Sequence, residues 1–533
     1  MPSTRTVGTA VVAVLAAALL STTATSALAQ RPVDPLPSAT AHKGSYASPY
    51  KAPPSVNSGT WKPLKAGFPG NSFPDTANLM TDGTVLMHDG CTSDWYKLTP
   101  SRKGSYINGK WKKITSMPSS YKPLYFASQV LNDGRFIVEG GEYNSCQAVW
   151  TTMGALYDPV KDKWTSITPP TGWNTIGDAQ STMLPDGTFM LANCCTRDSA
   201  LANISGSTVT WNILLGTQTG KADSHDEEGW TALADGTLLT VDANRDLGAP
   251  NDVEIFTPSN QKWTTTGKTA QSLVHASSHE IGPGPLLPTG YVLYVGGTGN
   301  NDVYDPVSGK WKAAPQFIVG AGAIASADGP GAVLPNGHAL FQVSPNTGCS
   351  SVPFCPPSHF FEVEVDSPST VIVKQVDEPP TAVDQASYEG RLLILPTGQA
   401  FWPSDVGDIE IYTPKGKAKA AWQPTITNVS ASLTRGSNNN TIQGTQFNGF
   451  TEGGYYGDDA QAATNFPLVR ITNTSTGTVC YARTHDFSSR GISQAGAPGS
   501  AEFDVPTKCD AGASNLQVVV NGIASAPSAV TVN

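Results

Sequence analysis

The sequence predicts an all-β fold, in which a seven-bladed β-propeller is followed by a smaller β-sandwich. Three observations lead to this prediction. A unit made of an apolar strand, a tight turn ending in glycine and a second apolar strand recurs seven times, at the spacing of about fifty residues that is typical of propeller blades. Glycine and proline are abundant and only 14% of the residues are charged, which favours short strands over helices. The repeat ends near Thr425, and short apolar strands continue beyond it.

The seven units are recognised by their turns, in which glycine is expected to adopt a positive φ. The turns are Asp82-Gly83, Asp133-Gly134, Asp186-Gly187, Asp235-Gly236, Thr289-Gly290, Asn336-Gly337 and Thr397-Gly398. In the second unit, residues 127–131 and 135–138 are the first two strands, residues 154–157 are the third, and Trp164 marks the fourth. This tryptophan recurs in most units. We interpret it as a structural wedge between kelch-type blades, not as a sugar platform.

The N-terminal residues are typical of a secretory signal. Arg5 is followed by an apolar run over residues 11–20 and by the small-x-small cleavage site Ala27-Leu28-Ala29. A membrane anchor is the alternative, but the run is too short to span a bilayer. The predicted parts are a signal peptide (1–29), a Pro/Ser-rich leader (30–57), the propeller (58–422) and an immunoglobulin-like sandwich (423–533). The mature protein is expected to be secreted and extracellular.

Charge and hydropathy limit the possible partners. The formal net charge of −10 argues against nucleic acid, because a phosphate-binding surface needs clustered lysine and arginine. Beyond the signal, no apolar stretch is long enough to insert into a membrane. A small molecule or a polysaccharide is the expected ligand, and a monomer is the expected state. A divalent metal, calcium or copper, is compatible with the acidic balance.

Eight cysteines in an exported chain favour disulfides over thiol chemistry. Their positions predict the pairs Cys480–Cys509, Cys349–Cys355 and Cys91–Cys146, the last of which joins neighbouring blades. Cys194 and Cys195 are adjacent and pair either with each other or with other loops. All of these except the first pair fall in loops after second strands, which share one face of a propeller. Disulfides there would hold the rim of a binding site rigid.

The blade repeat followed by a terminal sandwich resembles the galactose oxidase family, over a range from about Trp61 to the C-terminus. The resemblance implies a copper ion on the propeller axis, held by two tyrosines and two histidines, with one tyrosine crosslinked to a cysteine. Alignment on the turn glycines places the family's Tyr-His pair on Tyr388-Glu389 and the crosslinked tyrosine on Asp178. The Thr-His of the family's C-terminal domain falls on Thr484-His485.

This chain departs from the family pattern at the ligands themselves. Tyr388 and His485 persist, Glu389 and Asp178 replace a histidine and a tyrosine, and no cysteine lies near Tyr125-Phe126, where the crosslinking one would be. The Tyr-Cys radical cofactor therefore cannot form as it does in the family. A shared fold does not carry the function with it.

Comparing the blades position by position indicates an acidic ring. The residue nine places before each turn glycine is an acid in four blades, and the fifth blade has an acid one step earlier. Because innermost strands surround the propeller axis, these side chains are expected to converge at one mouth of the channel. Clustered carboxylates repel one another and tend to mark metal binding or acid–base chemistry. The expected ring consists of Tyr125, Asp178, Glu227, Glu280, Asp328 and Glu389. Alternatively, some of these acids cap backbone N–H groups or pair with arginine.

The resulting site hypothesis has two parts. The expected catalytic residues are Tyr388, Glu389, His485, Asp178 and Glu227. The expected substrate-binding residues are Tyr125, Asp328, Glu280, His225 and His279.

Three functions fit the sequence. The first is a carbohydrate-active protein in which a carboxylate pair serves as general acid and base. The second is an oxidase of sugars, alcohols or aldehydes, with copper held by Tyr388, His485 and a carboxylate such as Glu389. The third is an extracellular adhesion or binding module without turnover.

Overall fold

The computed structural model describes residues 59–243, 252–320, 322–457, 459 and 461–533. The predicted signal peptide and leader lie outside the described residues. All described residues belong to one compact unit, Leu36–Asn533, and they are mainly strands. The helices in this part of the chain are Gly216–Thr219 and the 3₁₀ turns Pro380–Asp384 and Ala420–Trp422. None of them is long and apolar enough to cross a bilayer.

Seven antiparallel sheets follow one another along the chain and form the seven blades of a propeller. Blades 1 to 4 have four strands each, which are numbered from the channel outward. They are Pro74–Leu79, Val85–Asp89, Trp95–Thr99 and Lys110–Lys113 in blade 1; Ala127–Val130, Phe136–Glu139, Gly154–Asp158 and Lys163–Ile167 in blade 2; Ser181–Met183, Phe189–Ala192, Ser199–Ser205 and Thr208–Leu214 in blade 3; and Thr231–Ala232, Leu238–Val241, Asp252–Thr257 and Lys262–Lys268 in blade 4.

Blade 5 has three regular strands, Val292–Val295, Asn301–Asp305 and Lys310–Ala314. Its innermost position is held by single bridges from Ile281 to Gly296 and from Leu286 to Val292. The intervening Gly-Pro-Gly-Pro sequence explains the interruption, because proline has no N–H to give to a ladder.

Blades 6 and 7 complete the ring. Blade 7 takes its outermost strand from the N-terminal end of the described chain, so Trp61 is paired with Tyr412. The strands are Gly331–Val333, Ala339–Val343, His359–Ser367 and Thr370–Gln375 in blade 6, and Leu393–Ile394, Ala400–Pro403, Ile409–Thr413 and Thr60–Pro63 in blade 7. Two short antiparallel strand pairs lie outside the blades. They join Pro123–Leu124 with Tyr143–Asn144 and Phe317–Val319 with Gly322–Ile324.

The fourth-strand tryptophans pack between blades, as the repeat predicts. Trp164 of blade 2 lies against Trp95 of blade 1, with ring centroids 5.4 Å apart. Trp211 of blade 3 donates its indole N–H to the carbonyl of Thr168, which follows blade 2. The rings are thus part of the packing that joins one blade to the next.

The C-terminal residues form a β-sandwich of two sheets that share one strand. The strand Val479–His485 pairs through its first half with one sheet and through its second half with the other. Leu433, Ile442, Phe503 and Leu516, from different strands, are fully buried in one apolar cluster. The other strands are Thr425–Val429, Ser432–Leu433, Asn440–Thr445, Leu468–Asn473, Pro498–Asp504, Gly512–Val520, Ile523–Ala524 and Ser528–Val532.

The sandwich packs on the propeller face that carries the glycine turns. All seven turn glycines have φ between 74° and 90°, as predicted. A Cβ on Gly83 would lie 2.5 Å from the ring of Tyr481, and one on Gly337 would lie 2.4 Å from the ring of Trp422. Glycine is therefore needed here both for its conformation and for the close approach of the sandwich at Gly83 and of the 3₁₀ turn before the sandwich at Gly337.

A loop of the sandwich enters the propeller channel. Its residues 451–457 are called the axial segment. Gly454 and Tyr455 pair antiparallel with the innermost strand of blade 6. Glu452 accepts a hydrogen bond from the backbone N–H of Ala232 in blade 4 (3.1 Å). The Tyr456 hydroxyl donates to the carbonyl of Tyr388 in blade 7 (2.8 Å). The axial segment therefore touches residues from three blades.

A Gly229→Ala variant is expected to lose about 1–3 kcal/mol of unfolding free energy, the usual cost of overpacking. A Cβ on Gly229 would lie 2.2 Å from the carbonyl oxygen of Gly457 in the axial segment, and backbone cannot move aside cheaply. Urea unfolding followed by tryptophan fluorescence measures the difference. Gly322→Ala is the control, since no atom lies within 4 Å of the added carbon there. Equal stability of the two variants would contradict the close contact.

Candidate functional site

The end of the channel opposite the glycine turns is built by a repeated backbone kink. Just before the innermost strand, Tyr125, Glu227 and Asp328 adopt φ values of 50°, 56° and 44°. The residues preceding Asp178 and Glu280 are also left-handed, at 70° each. Non-glycine residues seldom adopt this conformation, and such strain concentrates at functional sites. This end of the channel is called the mouth.

The mouth brings Tyr125 and Tyr388 together, with ring centroids 6.5 Å apart. Phe354 packs edge-on against Tyr388 at 4.8 Å. Glu389 follows Tyr388 and accepts a hydrogen bond from the backbone N–H of Ala386 (2.8 Å). All four side chains are at least nine-tenths buried. Tyr125 and Glu389 are members of the ring expected from the blade comparison and Tyr388 was expected from the resemblance, whereas Phe354 was not predicted.

Arg391 is the centre of this group. Its guanidinium donates to the carbonyl of Tyr388 (2.7 Å) and to the hydroxyl of Tyr456 (3.0 Å). It lies 3.3 Å from a carboxylate oxygen of Asp75 in blade 1. It also stacks over the ring of Tyr456, at 4.2 Å from the centroid, and faces Tyr125 at 5.8 Å. One buried cation therefore ties blades 1, 2 and 7 to the axial segment.

The pKa values of two carboxyl groups beside Arg391 are shifted in opposite directions. Burial alone would raise the pKa of Asp75, but the hydrogen bond with His88 and the charges of Arg391 and His88 outweigh it and lower that pKa. Burial raises the pKa of Asp405 well above its ordinary value, and the charges of Asp75 and Glu389 add to this effect although Arg391 opposes it. Both oxygens of Asp405 lack a hydrogen-bond partner. The site thus favours the protonated form of Asp405 and the ionised form of Asp75.

Asp328 and Glu227 lie next to chain segments that enter the mouth. A Cβ on Gly457 would lie 2.2 Å from a carboxylate oxygen of Asp328, so the axial segment passes directly beside it. Glu227 follows Asp226, whose carboxylate is 3.0 Å from the Cys195 sulfur. Asp178 follows Gly177, where a Cβ would lie 3.3 Å from Cys194. These acids share one rim, and Asp328 is the one placed directly against the axial segment.

Disulfides occupy the rim. The structure has the bonds Cys91–Cys146, which connects blades 1 and 2, and Cys349–Cys355, which closes the blade 6 loop that carries Phe354. Cys194 and Cys195 are bonded to each other, which is one of the two alternatives left by the sequence. Cys480–Cys509 lies in the sandwich.

His485 lies at the other end of the propeller, which corrects the expectation that it reaches Tyr388. One ring nitrogen is 2.6 Å from Asp486 and the other is 3.2 Å from Asp504. The backbone N–H of Asp486 donates to the backbone carbonyl of Asn132, which lies beside the glycine turn of blade 2. There His485 borders a groove of about 750 Å³ between the sandwich and blades 2 and 3. The reason is that its strand stays in the sandwich sheet, and a different loop, the axial segment, enters the channel.

The residues present do not fit the copper site implied by the resemblance. Tyr388 and Glu389 lie at the mouth without His485, whose ring nitrogens both face carboxylates. Among the described residues, three groups of His, Cys, Asp or Glu come close enough to hold a metal ion, and none contains Glu389 or Asp405.

The two other predicted histidines lie in blades 4 and 5. His225 is fully buried within blade 4, and its Nδ1 is 2.9 Å from Glu228. His279 is half-buried and donates its backbone N–H to the carbonyl of His275 in blade 5 (2.9 Å). Glu280 is buried next to it. The group around Arg391, by contrast, joins blades 1, 2 and 7.

Sequence reasoning missed Asp405, Arg391, Asp75 and Tyr456. A signal for Asp405 was present, because it comes two residues after the second strand of blade 7, and loops at that position lie on the mouth face. Arg391 and Asp75 sit at the starts of innermost strands, one or two residues from the positions compared between blades. Tyr456 had no comparable signal, since it reaches the mouth from the sandwich.

No protein-family model matches the chain, and no curated protein matches it. Solved structures with similar folds include a fungal alcohol oxidase of the AA5 family in complex with copper, 13% identical over 86% of this chain and 85% of that one, with a TM-score of 0.39. The structure of YCF48 bound to D1 peptide is 13% identical over 68% and 99%, with a TM-score of 0.44. The extracellular domain of a two-component system protein from B. thetaiotaomicron is 10% identical over 89% of this chain and 59% of its own length, with a TM-score of 0.44. Function is therefore argued from the residues of the mouth.

Proposed function

We propose that this is a secreted carbohydrate-active protein that binds a sugar at the mouth and acts on it by acid–base chemistry. The observation that carries the proposal is the placement of Asp405, whose pKa is raised by burial, with Glu389 and Asp75 around one buried arginine. Environments that push neighbouring carboxyl groups to opposite protonation states are how a site obtains an acid and a base at one pH. The predicted signal peptide and the four disulfides support an extracellular setting.

A sugar suits the other groups of the mouth. Hydroxyl groups can donate to the carboxylates of Glu389, Asp328 and Asp178, and an apolar sugar face can pack on rings such as those of Tyr388 and Phe354. A polyanionic ligand would be repelled by the same acids. In this site Asp405 donates a proton to the leaving oxygen, and Glu389 serves as base or nucleophile.

Arg391 has a positioning role in this mechanism. Its hydrogen bonds to the carbonyl of Tyr388 and the hydroxyl of Tyr456 fix the backbone just before Glu389. Its charge is balanced by Asp75, which His88 in turn supports at 3.1 Å. The base therefore sits on a rigid support, as precise chemistry requires.

A double variant, Glu389→Gln with Asp178→Asn, is expected to lower turnover by about 100-fold or more, because general acid–base groups contribute on that scale. Wild-type protein is first screened on an oligosaccharide panel for binding and for released product, and the variant is then assayed on the best substrate. The control is Asp235→Asn with Glu364→Gln, an equal charge change away from the mouth. Full activity in the Glu389/Asp178 variant would overturn the proposal. Binding without product from the wild type would leave a binding module instead.

A further inference from the structure

Blade 4 contains a fully buried lysine surrounded by four carboxyl groups. The Lys221 ammonium nitrogen lies 2.5 Å from Asp223, 2.6 Å from Glu254, 3.2 Å from Glu228 and 3.3 Å from Asp242. None of these side chains has measurable exposure to solvent. The group belongs neither to the mouth nor to the function proposed for it.

One cation cannot neutralise four carboxylates, so part of the group must hold protons. Burial raises the pKa of Asp242 to about 9, although Lys221 opposes the rise. Burial raises the pKa of Glu228 and of Asp223 for the same reason. One oxygen each of Asp223 and Asp242 has no hydrogen-bond partner. A neutral carboxylic acid, Asp242, therefore sits beside the lysine at neutral pH.

The carboxyl group of Glu254 is held in the geometry of an acyl acceptor. One of its oxygens, Oε2, is 2.6 Å from Lys221 Nζ. The other, Oε1, accepts the backbone N–H of Ala222 at 3.0 Å. A fixed N–H donor on a carboxyl oxygen stabilises negative charge that develops there during nucleophilic attack. Lysine and carboxyl carbon are thus held together without any rearrangement of the backbone.

We infer that Lys221 and Glu254 condense to form an intramolecular amide bond. The Nζ–Cδ bond forms, the Cδ–Oε2 bond breaks, and one water leaves, so that an ammonium and a carboxylate become an amide and water with no change in oxidation state. Lys221 passes one proton to a neighbouring carboxylate before it attacks Cδ. As the tetrahedral intermediate collapses, the nitrogen gives up its second proton to Oε2, Asp242 supplies the other, and Oε2 leaves as water. Ala222 N–H holds the charge on Oε1 during the attack.

The surroundings favour the product over its hydrolysis. The ring of Trp263 lies 5.4 Å from Lys221 Nζ, and the neighbouring Trp230 is also buried. Bulk water is thereby kept from the bond. Burial lowers the pKa of Lys221, but the charges of the surrounding carboxylates raise it by more, so the ammonium form predominates. The reactive amine is a minor species and the reaction is correspondingly slow.

Glu254 is a better acceptor than its nearest competitor. Asp223 is equally close to Lys221 but only two residues away along the chain, whereas Glu254 also has the N–H of Ala222 on its second oxygen. A bond to Glu254 joins the segment before the innermost strand of blade 4 to its third strand, Asp252–Thr257. The blade would then be closed covalently.

Mass spectrometry of the purified full chain tests this inference. After denaturation, reduction and alkylation, we expect trypsin to fail at Lys221 in part of the sample. The peptide containing Lys221 should be linked to the one containing Glu254, with a total mass lower by one water. The linked fraction is expected to rise with incubation of the folded protein. Complete cleavage at Lys221 and full peptide masses after prolonged incubation would overturn the inference.

Two variants distinguish a failure of the amide-forming reaction from a failure of the protein to fold. Lys221→Arg keeps a cation but has no amine to react and should give no link. Asp242→Asn keeps the reacting pair and removes the proton donor, so the link should form at least several-fold more slowly. The internal control is the pair of the exposed Lys268 with the partly buried Asp252, whose atoms are 2.9 Å apart and which should stay unlinked. An equal yield of linked peptide in Lys221→Arg would also overturn the assignment. If either variant fails to fold, the wild-type peptide map still decides.

Discussion

Replacing Lys221 by methionine is expected to cost about 3–5 kcal/mol of unfolding free energy, the usual penalty for removing one member of a buried ionic group. Methionine is close to lysine in length but leaves Asp223, Glu228, Asp242 and Glu254 without the cation that all four contact. The variant also cannot form the proposed amide. The loss of the cation and the loss of the amide both lower the unfolding free energy of the variant.

The loss of unfolding free energy in Lys221→Met should increase as pH rises. Asp242 has a folded pKa of about 9, above its ordinary value of 3.8, so the folded state holds more protons than the unfolded state between those values. Stability therefore falls as pH rises through this window. Lys221 lowers the pKa of Asp223, Glu228 and Asp242, so their pKa values should rise further in the variant. The deficit in stability of the variant against the wild type should therefore be largest at alkaline pH and should narrow on acidification.

Urea unfolding across this pH range measures the effect. Lys161→Met is the matched control, because Lys161 is 73% exposed and its pair with Asp158 is of a kind worth less than about 1 kcal/mol. A Lys221→Met protein as stable as this control at alkaline pH would show that the buried group is not held together by the lysine.

Replacing Asp405 by asparagine is expected to lower the activity of the mouth by about 10²–10⁴-fold while the fold is retained. Asparagine has the shape of the protonated form that the raised pKa of Asp405 favours, but it cannot transfer a proton. Because burial raises the pKa of Asp405, the wild type loses stability as pH rises above the ordinary carboxyl range. The variant lacks that loss, so it should gain stability relative to the wild type with increasing pH.

Two measurements on the same samples check this result, namely turnover on the substrate found by the oligosaccharide screen and thermal unfolding from acidic to alkaline pH. Asp408→Asn provides the control, since Asp408 is exposed on the same loop and should change neither quantity. Unchanged turnover in Asp405→Asn would remove Asp405 as the proton donor. A variant that becomes less stable relative to the wild type at high pH would contradict the raised pKa of the buried acid.

The fold was accessible from the sequence because its signals are local and repeated. A turn such as Asp133-Gly134 needs glycine because its backbone adopts a positive φ. Seven such turns in the sequence therefore indicate seven blades without any knowledge of how the blades pack. Alignment on the turns also placed Tyr125, Tyr388 and Glu389 at one end of the channel, because a strand of fixed length has its start at a fixed distance from its turn.

The rest of the site depends on which loop of the sandwich enters the channel, and this is decided by tertiary packing. His485 was expected on the axis from a short sequence match, yet Tyr456 is the residue that reaches Arg391. The role of Lys221 was equally hidden. Its partners Asp242 and Glu254 come from separate parts of blade 4, and sequence alone does not show that they meet on one nitrogen.

The pairing of Gly454 and Tyr455 with the innermost strand of blade 6 has a consequence for assembly of the chain. That strand, Gly331–Val333, uses its second edge for the axial segment, so before the sandwich docks it presents open N–H and C=O groups toward the channel. Unpaired edges of this kind recruit other strands and lead to aggregation. Docking of the sandwich covers this edge. Because the outermost strand of blade 7 is Thr60–Pro63, the ring is completed by strands from both ends of the described chain.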